Sequence, residues 1–303
     1  METDVWMGDL QGNADRAHSE PMATLWCNGE WQDSTKSTVS ITDRGLLHGL
    51  GLFETLLAVD GEAKYVDRHL ARLTKGLNRL LWELPDFDLK AAMSELLVRN
   101  RLTQGRARIR LTITGGSGAL RDLTFGEDRM IWMSASKMED DGADHRISLS
   151  LGLSLWRRNA DSPLAGLKCV SYAENLLALD WARSAGHDEV LFVNTAGNLC
   201  EAATANIFFI KDGSLLTPSL ESGCLPGVTR GLILEFAREL GMTAQEESLS
   251  LNDLREVDGC FLTCATHGLM AVHRIENQNF SVSAVMEQLT KCWNESLQTT
   301  HQA

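Results

Sequence analysis

The sequence is short of basic residues, has no long apolar run, and scatters its cysteines without pattern. Lys and Arg number 28 against 41 Asp and Glu, a net charge of −13. So acidic a surface repels polyanions, and no nucleic-acid partner is expected. Any anionic ligand must be held by local donors working against the global field. No stretch approaches the ~18 apolar residues of a membrane span, so no membrane partner is expected either. The cysteines (Cys27, Cys169, Cys200, Cys224, Cys260, Cys264 and Cys292) form no CxxC pair and no metal-ligand spacing. That pattern implies no metal site and reduced thiols in a cytoplasm. Internal repeats are also missing, and residues 1–22 hold no hydrophobic stretch suited to a secretory signal.

What remains is an ordinary globular composition, 44% apolar and 23% charged, in 303 residues. That length supports two modest domains with real cores. The segment Thr24–Cys27 followed by Asn28-Gly29 predicts a strand and a hairpin turn. Leucines at helical spacing predict an amphipathic helix over 66–82, with a second over 87–101. Alternation over 107–113 predicts a half-buried strand, and the glycine-rich 115–118 a flexible loop. The acidic stretch after Lys137 marks a junction. Beyond it, helices are expected over 172–185 and 228–240, and strands over 189–193, 205–210 and 259–263. The resulting expectation is an α+β chain: an extension over 1–22, a small N-terminal α/β domain over 23–145, a larger C-terminal domain over 146–295, and a tail over 296–303.

The segment from Glu201 to Arg230 is the most informative. Glu201 is read as opening a strand, and Asn206 follows inside an apolar stretch. Thr217-Pro218 ends the next strand, and Leu225-Pro226-Gly227-Val228-Thr229-Arg230 leads into a helix. A glycine delivering two residues to a helix N-terminus makes an anion cradle, because the first N–H groups are free and the dipole favours negative charge. With its spaced Glu201, Asn206 and Thr217, the segment resembles the signature of the class IV aminotransferase family, the fold-type IV pyridoxal-phosphate enzymes. Ser162 to Lys168, Tyr172 to Leu177, Asp43 to Thr55 and His69 to Leu73 resemble further blocks of that family.

The resemblance implies a two-domain fold-type IV architecture and pyridoxal 5'-phosphate as cofactor. Lys168 would hold that cofactor as a Schiff base and then move protons as general base and acid. Glu201 would face the pyridine nitrogen, Arg72 and the backbone of Val228 and Thr229 would hold the phosphate, and Tyr172, taken to lie one helical turn from Lys168, would reach the cofactor's O3' side. His48, Arg108, Arg110 and Arg158 are the candidates for the substrate. Family members differ in reaction, so two readings stand: a 4-amino-4-deoxychorismate lyase releasing pyruvate and 4-aminobenzoate, favoured by its block similarities, or an amino-acid aminotransferase using a 2-oxo acid acceptor. A cofactor-free binding relative is a third. The resemblance further implies a homodimer acting on a small-molecule substrate.

Overall fold

The computed structural model describes residues 24–119, 121–126, 128–138 and 148–298. The extension over 1–22, the acidic junction over 139–145 and residues 299–303 lie outside the described residues. Two sheets organise the chain. The first joins β1 (Thr24–Cys27), β2 (Glu30–Asp33), β3 (Gly51–Val59), β4 (Glu62–Ala63), β5 (Arg106–Thr114) and β6 (Ile131–Lys137) in the antiparallel order β2-β1-β6-β5-β3-β4. Short helix α1 (Arg44–His48) precedes β3, and α2 (Val66–Arg79) and α3 (Leu89–Arg99) cover the sheet. His69, Leu73 and Leu77 form the buried stripe of α2 at four-residue spacing. Leu73 and Leu77 pack with Leu56, Met93, Leu96 and Ile109 in one core. Each such leucine contributes about 2 kcal/mol by leaving water.

The second sheet contains β7 (Ser148–Arg158), β8 (Glu189–Asn194), β9 (Leu199–Ala202), β10 (Asn206–Lys211), β11 (Ser214–Pro218), β12 (Ala244–Glu247), β13 (Gly259–Cys264), β14 (Gly268–Ile275) and β15 (Gln278–Asn279). Its order is β12-β11-β10-β13-β14-β7-β8-β9, with β15 beside β14. Helices α4 (Ala173–Ser184), α5 (Val228–Glu239) and α6 (Ala284–Gln298) complete the chain. Strand β10 reads apolar without alternation because both faces are buried: Ile207 and Phe209 enter one core, Phe208 and Ile210 the other, under α5.

The two sheets meet at one seam. Phe53 N donates to Lys168 O at 2.9 Å and Val170 N to Gly51 O at 3.0 Å, so the lysine segment lies alongside β3. Leu57 of β3 packs with Val228, Leu232 and Trp293. Both nitrogens of the Arg68 fork reach Glu235 at 2.8 Å.

Three sequence expectations need correction. Glu201 does not open a strand; it is the third residue of β9, and Asn206 opens the next one. Residues 115–118 are a packed connection rather than a flexible loop, with Gly115 and Gly116 buried. The Arg44 guanidinium organises this connection, donating to Gly115 O and Gly116 O. Ser296 to Gln298 finish α6 instead of belonging to the tail.

Candidate active site

The seam brings together residues separated by up to 175 positions in the chain. From the first sheet come Phe53, Glu54 and Arg110; from α2, His69 and Arg72. The second part supplies Lys168, Tyr172, Glu201, Asn206 and the start of α5.

Lys168 Nζ lies 4.6 Å from the centre of the Phe53 ring. Among the described residues it has no hydrogen bond or ion pair. Burial, then the positive charge of Arg72, pull its ammonium down to about 8, while Glu54 and Glu201 act in the opposite direction. A lysine in this state gives up its proton close to neutrality.

Arg72 is held rather than free. Its Nε donates to Glu54 Oε1 at 2.8 Å, its Nη2 to Glu54 Oε2 at 2.5 Å, and its Nη1 to Pro226 O at 3.2 Å. His69 Nδ1 completes the cluster, 2.7 Å from Glu54 Oε2. Burial alone would raise the Glu54 carboxyl, but the Arg72 charge and the bonds from Arg72 and His69 outweigh it and hold the group at about 2. The pair places a guanidinium against the carbonyl that precedes α5.

At that helix start Gly227 is the N-cap and offers no side chain. A Cβ on Gly227 would lie 2.1 Å from Asn206 Oδ1, so only glycine fits. Asn206 also donates to Leu225 O at 2.9 Å and to Glu201 Oε2 at 3.3 Å, tying the loop to the carboxylate. Leu225 N donates to the same oxygen at 2.9 Å. The second oxygen, Oε1, receives no hydrogen bond among the described residues. Burial raises the Glu201 carboxyl, opposed mainly by Arg158. The backbone N–H groups of Val228 and Thr229 have no intrahelical acceptor. The Thr229 hydroxyl is buried without a partner.

Tyr172 is not one helical turn from Lys168. Residues 168–170 run extended against β3, and Tyr172 is the N-cap of α4. Its ring meets Phe53 edge-on at 5.7 Å. Its hydroxyl donates to Ala203 O, the acceptor it shares with Asn175. Burial and the neighbouring Glu201 push that phenol up to about 12.

The substrate candidates separate. His48 is exposed at the end of α1, and nothing places it against Lys168. Arg158 bonds to Glu174 at 3.1 Å and Asn175 at 3.3 Å and stacks over Phe192 at 4.1 Å. Arg158 Nε and Nη2 are buried without a partner. The Arg110 guanidinium lies 3.9 Å over Phe53 and has no hydrogen bond or ion pair among the described residues. Sequence reasoning singled out Phe53 and Glu54 only as part of a block. Their hydrophobic neighbours on β3 give no sign that one ring contacts a lysine, an arginine and a tyrosine.

Comparison with known proteins fixes the family. A model of the amino-transferase class IV family matches residues 51–275. The chain belongs to that family. Class IV aminotransferases and their lyase relatives are pyridoxal-phosphate-dependent enzymes, and so is this one. A Methanocaldococcus jannaschii protein named as a branched-chain-amino-acid aminotransferase is 30% identical over 258 residues, 84% of this chain and 88% of its own. The aminodeoxychorismate lyase of Bacillus subtilis is 28% identical over 264 residues, again 84% and 88%. A Legionella pneumophila structure named as a 4-amino-4-deoxychorismate lyase superposes with a TM-score of 0.79 at 27% identity, covering 86% of this chain and 96% of that one.

The unspent groups fit the class IV cofactor. The free N–H groups and orphaned hydroxyl at the start of α5 suit a phosphate, and Glu201 Oε1 suits a ring N–H.

Proposed function

We propose that this enzyme eliminates pyruvate from 4-amino-4-deoxychorismate, leaving 4-aminobenzoate. The observation that carries this reading is Arg110. It stands two residues from Arg108 on the same face of β5, and burial followed by repulsion from Arg108 lowers its pKa. A carboxylate beside the pair would relieve that repulsion. The lyase substrate carries two carboxylates to set against the pair. The Bacillus subtilis and Legionella pneumophila relatives support the same reading.

In this scheme the Val228 and Thr229 N–H groups, the Thr229 hydroxyl and Arg72 would hold the cofactor phosphate. Glu54 and His69 fix Arg72 in place. Glu201 Oε1 would face the pyridine nitrogen, and a carboxyl raised by burial would share its proton. Tyr172 would lie on the O3' side, with its own proton directed to Ala203 O. The cofactor, when bound, supplies the sink for the electron pair released at the substrate's α-carbon. Lys168 provides the amine that attaches the cofactor and, once displaced, the base that moves the α-proton. Arg110 orients a substrate carboxylate over Phe53.

The test is product analysis. Pyruvate and 4-aminobenzoate appearing without any added 2-oxo acid support the lyase. Turnover that requires 2-oxoglutarate supports amino-acid transamination, the second reading, favoured by the Methanocaldococcus jannaschii relative. We also infer a cytoplasmic homodimer. No helix among the described residues is long and apolar enough to cross a membrane, and all seven cysteines are free thiols. Exposed Ile41, Leu46 and Leu47 in and just before α1, and Leu155 of β7 with Leu176 and Leu177 of α4, form surfaces suited to a second copy. A monomeric mass in light scattering would refute the dimer.

A further inference from the structure

Glu189 is a buried carboxylate that the proposed chemistry does not use. It opens β8 and is 6% exposed. Its Oε1 accepts from Val190 N at 2.9 Å and from Ala203 N at 3.3 Å, and its Oε2 from the Thr204 hydroxyl at 2.6 Å. All of these donors are neutral, and among the described residues no cation pairs with the group. Burial raises the carboxyl, opposed by the bonds from Thr204, Val190 and Ala203 and then by the Arg183 charge on α4. Two backbone N–H groups and a hydroxyl converging on one carboxyl suit its ionised form. Burying that charge without a counter-ion is costly, so its placement calls for a reason.

The reason lies in what Glu189 holds. Ala203 and Thr204 belong to the connection between β9 and β10, the strands that carry Glu201 and Asn206. Ala202 N donates to Ala205 O at 2.8 Å and closes this turn, and Glu189 grips the two residues inside it. The carbonyl of Ala203 accepts from the Tyr172 hydroxyl and from Asn175 Nδ2, the latter at 2.6 Å. A carbonyl has two lone pairs, and both are spent here. One residue is thus held at its N–H by Glu189 and holds the phenol with its C=O.

Charge reaches the phenol from several elements. Burial is the largest influence pushing it up to about 12, followed by Glu201 of β9 and Glu189 of β8. The Asn175 amide and Arg158 of β7 act downward. Arg110 of β5 stacks over the Phe53 ring that the Tyr172 ring meets edge-on, and Lys168 Nζ lies 4.6 Å from the centre of that same ring. The hydroxyl that Glu189 governs therefore belongs to the cluster around Lys168.

We infer that Glu189 is a positioning residue for Tyr172: through the Ala203–Thr204 turn it fixes where the phenol sends its proton. Its negative charge adds a second effect, opposing the loss of that proton. The consequence for the cofactor's O3' side rests on the functional reading above; the hold on the phenol does not.

The chain has two tyrosines, Tyr65 and Tyr172. Tyrosine labelled with carbon-13 at the ζ position therefore gives two NMR signals in the full-length protein, and Tyr65→Phe assigns them. Glu189→Gln keeps the shape of the side chain and removes its charge. In the stripped protein this change should lower the titration midpoint of Tyr172 by about half a pH unit or more, because a nearby negative charge no longer opposes ionisation. The midpoint of Tyr65 should stay in place. Glu189→Asp, which returns the charge on a shorter stem, should recover part of the shift. A Tyr172 midpoint unchanged in Glu189→Gln overturns the inference. Thr204→Val removes one donor, leaves the charge, and serves if Glu189→Gln does not fold. It should displace the Tyr172 signal already at pH 7, and a signal in its parental place would equally overturn the inference. With pyridoxal 5'-phosphate bound, Glu189→Gln should also shift the pH dependence of the absorbance near ~400 nm. A phenol that responds beside an absorbance that does not would uphold the role of Glu189 and remove Tyr172 from the O3' side. A protein that takes up no cofactor would refute the functional reading, while the NMR titration still decides the role of Glu189.

Discussion

Glu54 spends both carboxylate oxygens on Arg72, 2.8 Å from Nε and 2.5 Å from Nη2, and shares one of them with His69. The carboxylate is 1% exposed and the arginine 13%, so neither charge is relieved by water. Replacing Glu54 with Gln keeps the shape and removes the charge, leaving Arg72 buried beside an amide. We expect a loss of about 3–5 kcal/mol in denaturant unfolding.

The same pair makes a pH prediction. The Glu54 carboxyl sits at about 2 in the folded protein, below its ordinary value of 4.5. Its ionised form therefore contributes stability, of order 3 kcal/mol, that is complete above the unfolded pKa and is lost as pH falls toward 2. Urea titrations of the parent and Glu54→Gln at pH 6 and pH 3 check this. The gap between the two proteins should narrow at the lower pH, and an unchanged gap would refute the assignment.

Lys168 should take up cofactor with a rate that climbs through pH 8. The neutral amine is the nucleophile, and its ammonium is depressed to about 8 by burial and Arg72. Absorbance near ~400 nm, followed after mixing the stripped protein with pyridoxal 5'-phosphate, reports the attachment. An inflection above pH 10 would mean an ordinary surface lysine. Lys168→Ala should abolish both the band and turnover.

Thr229→Val separates binding from folding. The hydroxyl is buried and unpartnered, so the stripped protein should lose nothing in thermal stability when it is replaced by a methyl. Cofactor affinity should fall by about 5- to 30-fold, as for a hydrogen bond worth roughly 1–2 kcal/mol to a charged group. An unchanged dissociation constant would move the phosphate elsewhere.

Arg110→Leu should raise KM for a carboxylate-bearing substrate about 10- to 100-fold, with cofactor affinity intact, because the guanidinium touches Phe53 and no cofactor-holding residue. Arg110→Lys should restore part of the loss, since the charge returns without the planar fork. Equal kinetics in all three proteins would remove Arg110 from the substrate site.

The sequence made α2, α5 and β10 readable because each buries a regular face: leucines every four residues, a glycine entry, and a continuous apolar run. Lys168, Glu201, Arg72 and the Val228–Thr229 cradle were legible as members of spaced blocks, and the fold does bring those blocks together. What escaped had no local signature. Strand β3 looks like any apolar segment, yet it is the rail beside Lys168. Tyr172 lies off the expected helical turn because pairing with β3 holds residues 168–170 extended. The separation of Arg110 from Arg158 depends on which guanidinium finds partners across the fold, and spacing along one chain does not encode that.

The seam has a mechanical consequence. The backbone of Lys168 is clipped to β3 by its own carbonyl, while Glu201, Asn206 and the start of α5 are built into the other sheet. A ligand that engages all of them spans two separately cored halves and behaves as a rivet. Its binding free energy then adds to their docking, so the melting temperature should climb with ligand concentration and the halves should come apart most readily when the rivet is withdrawn.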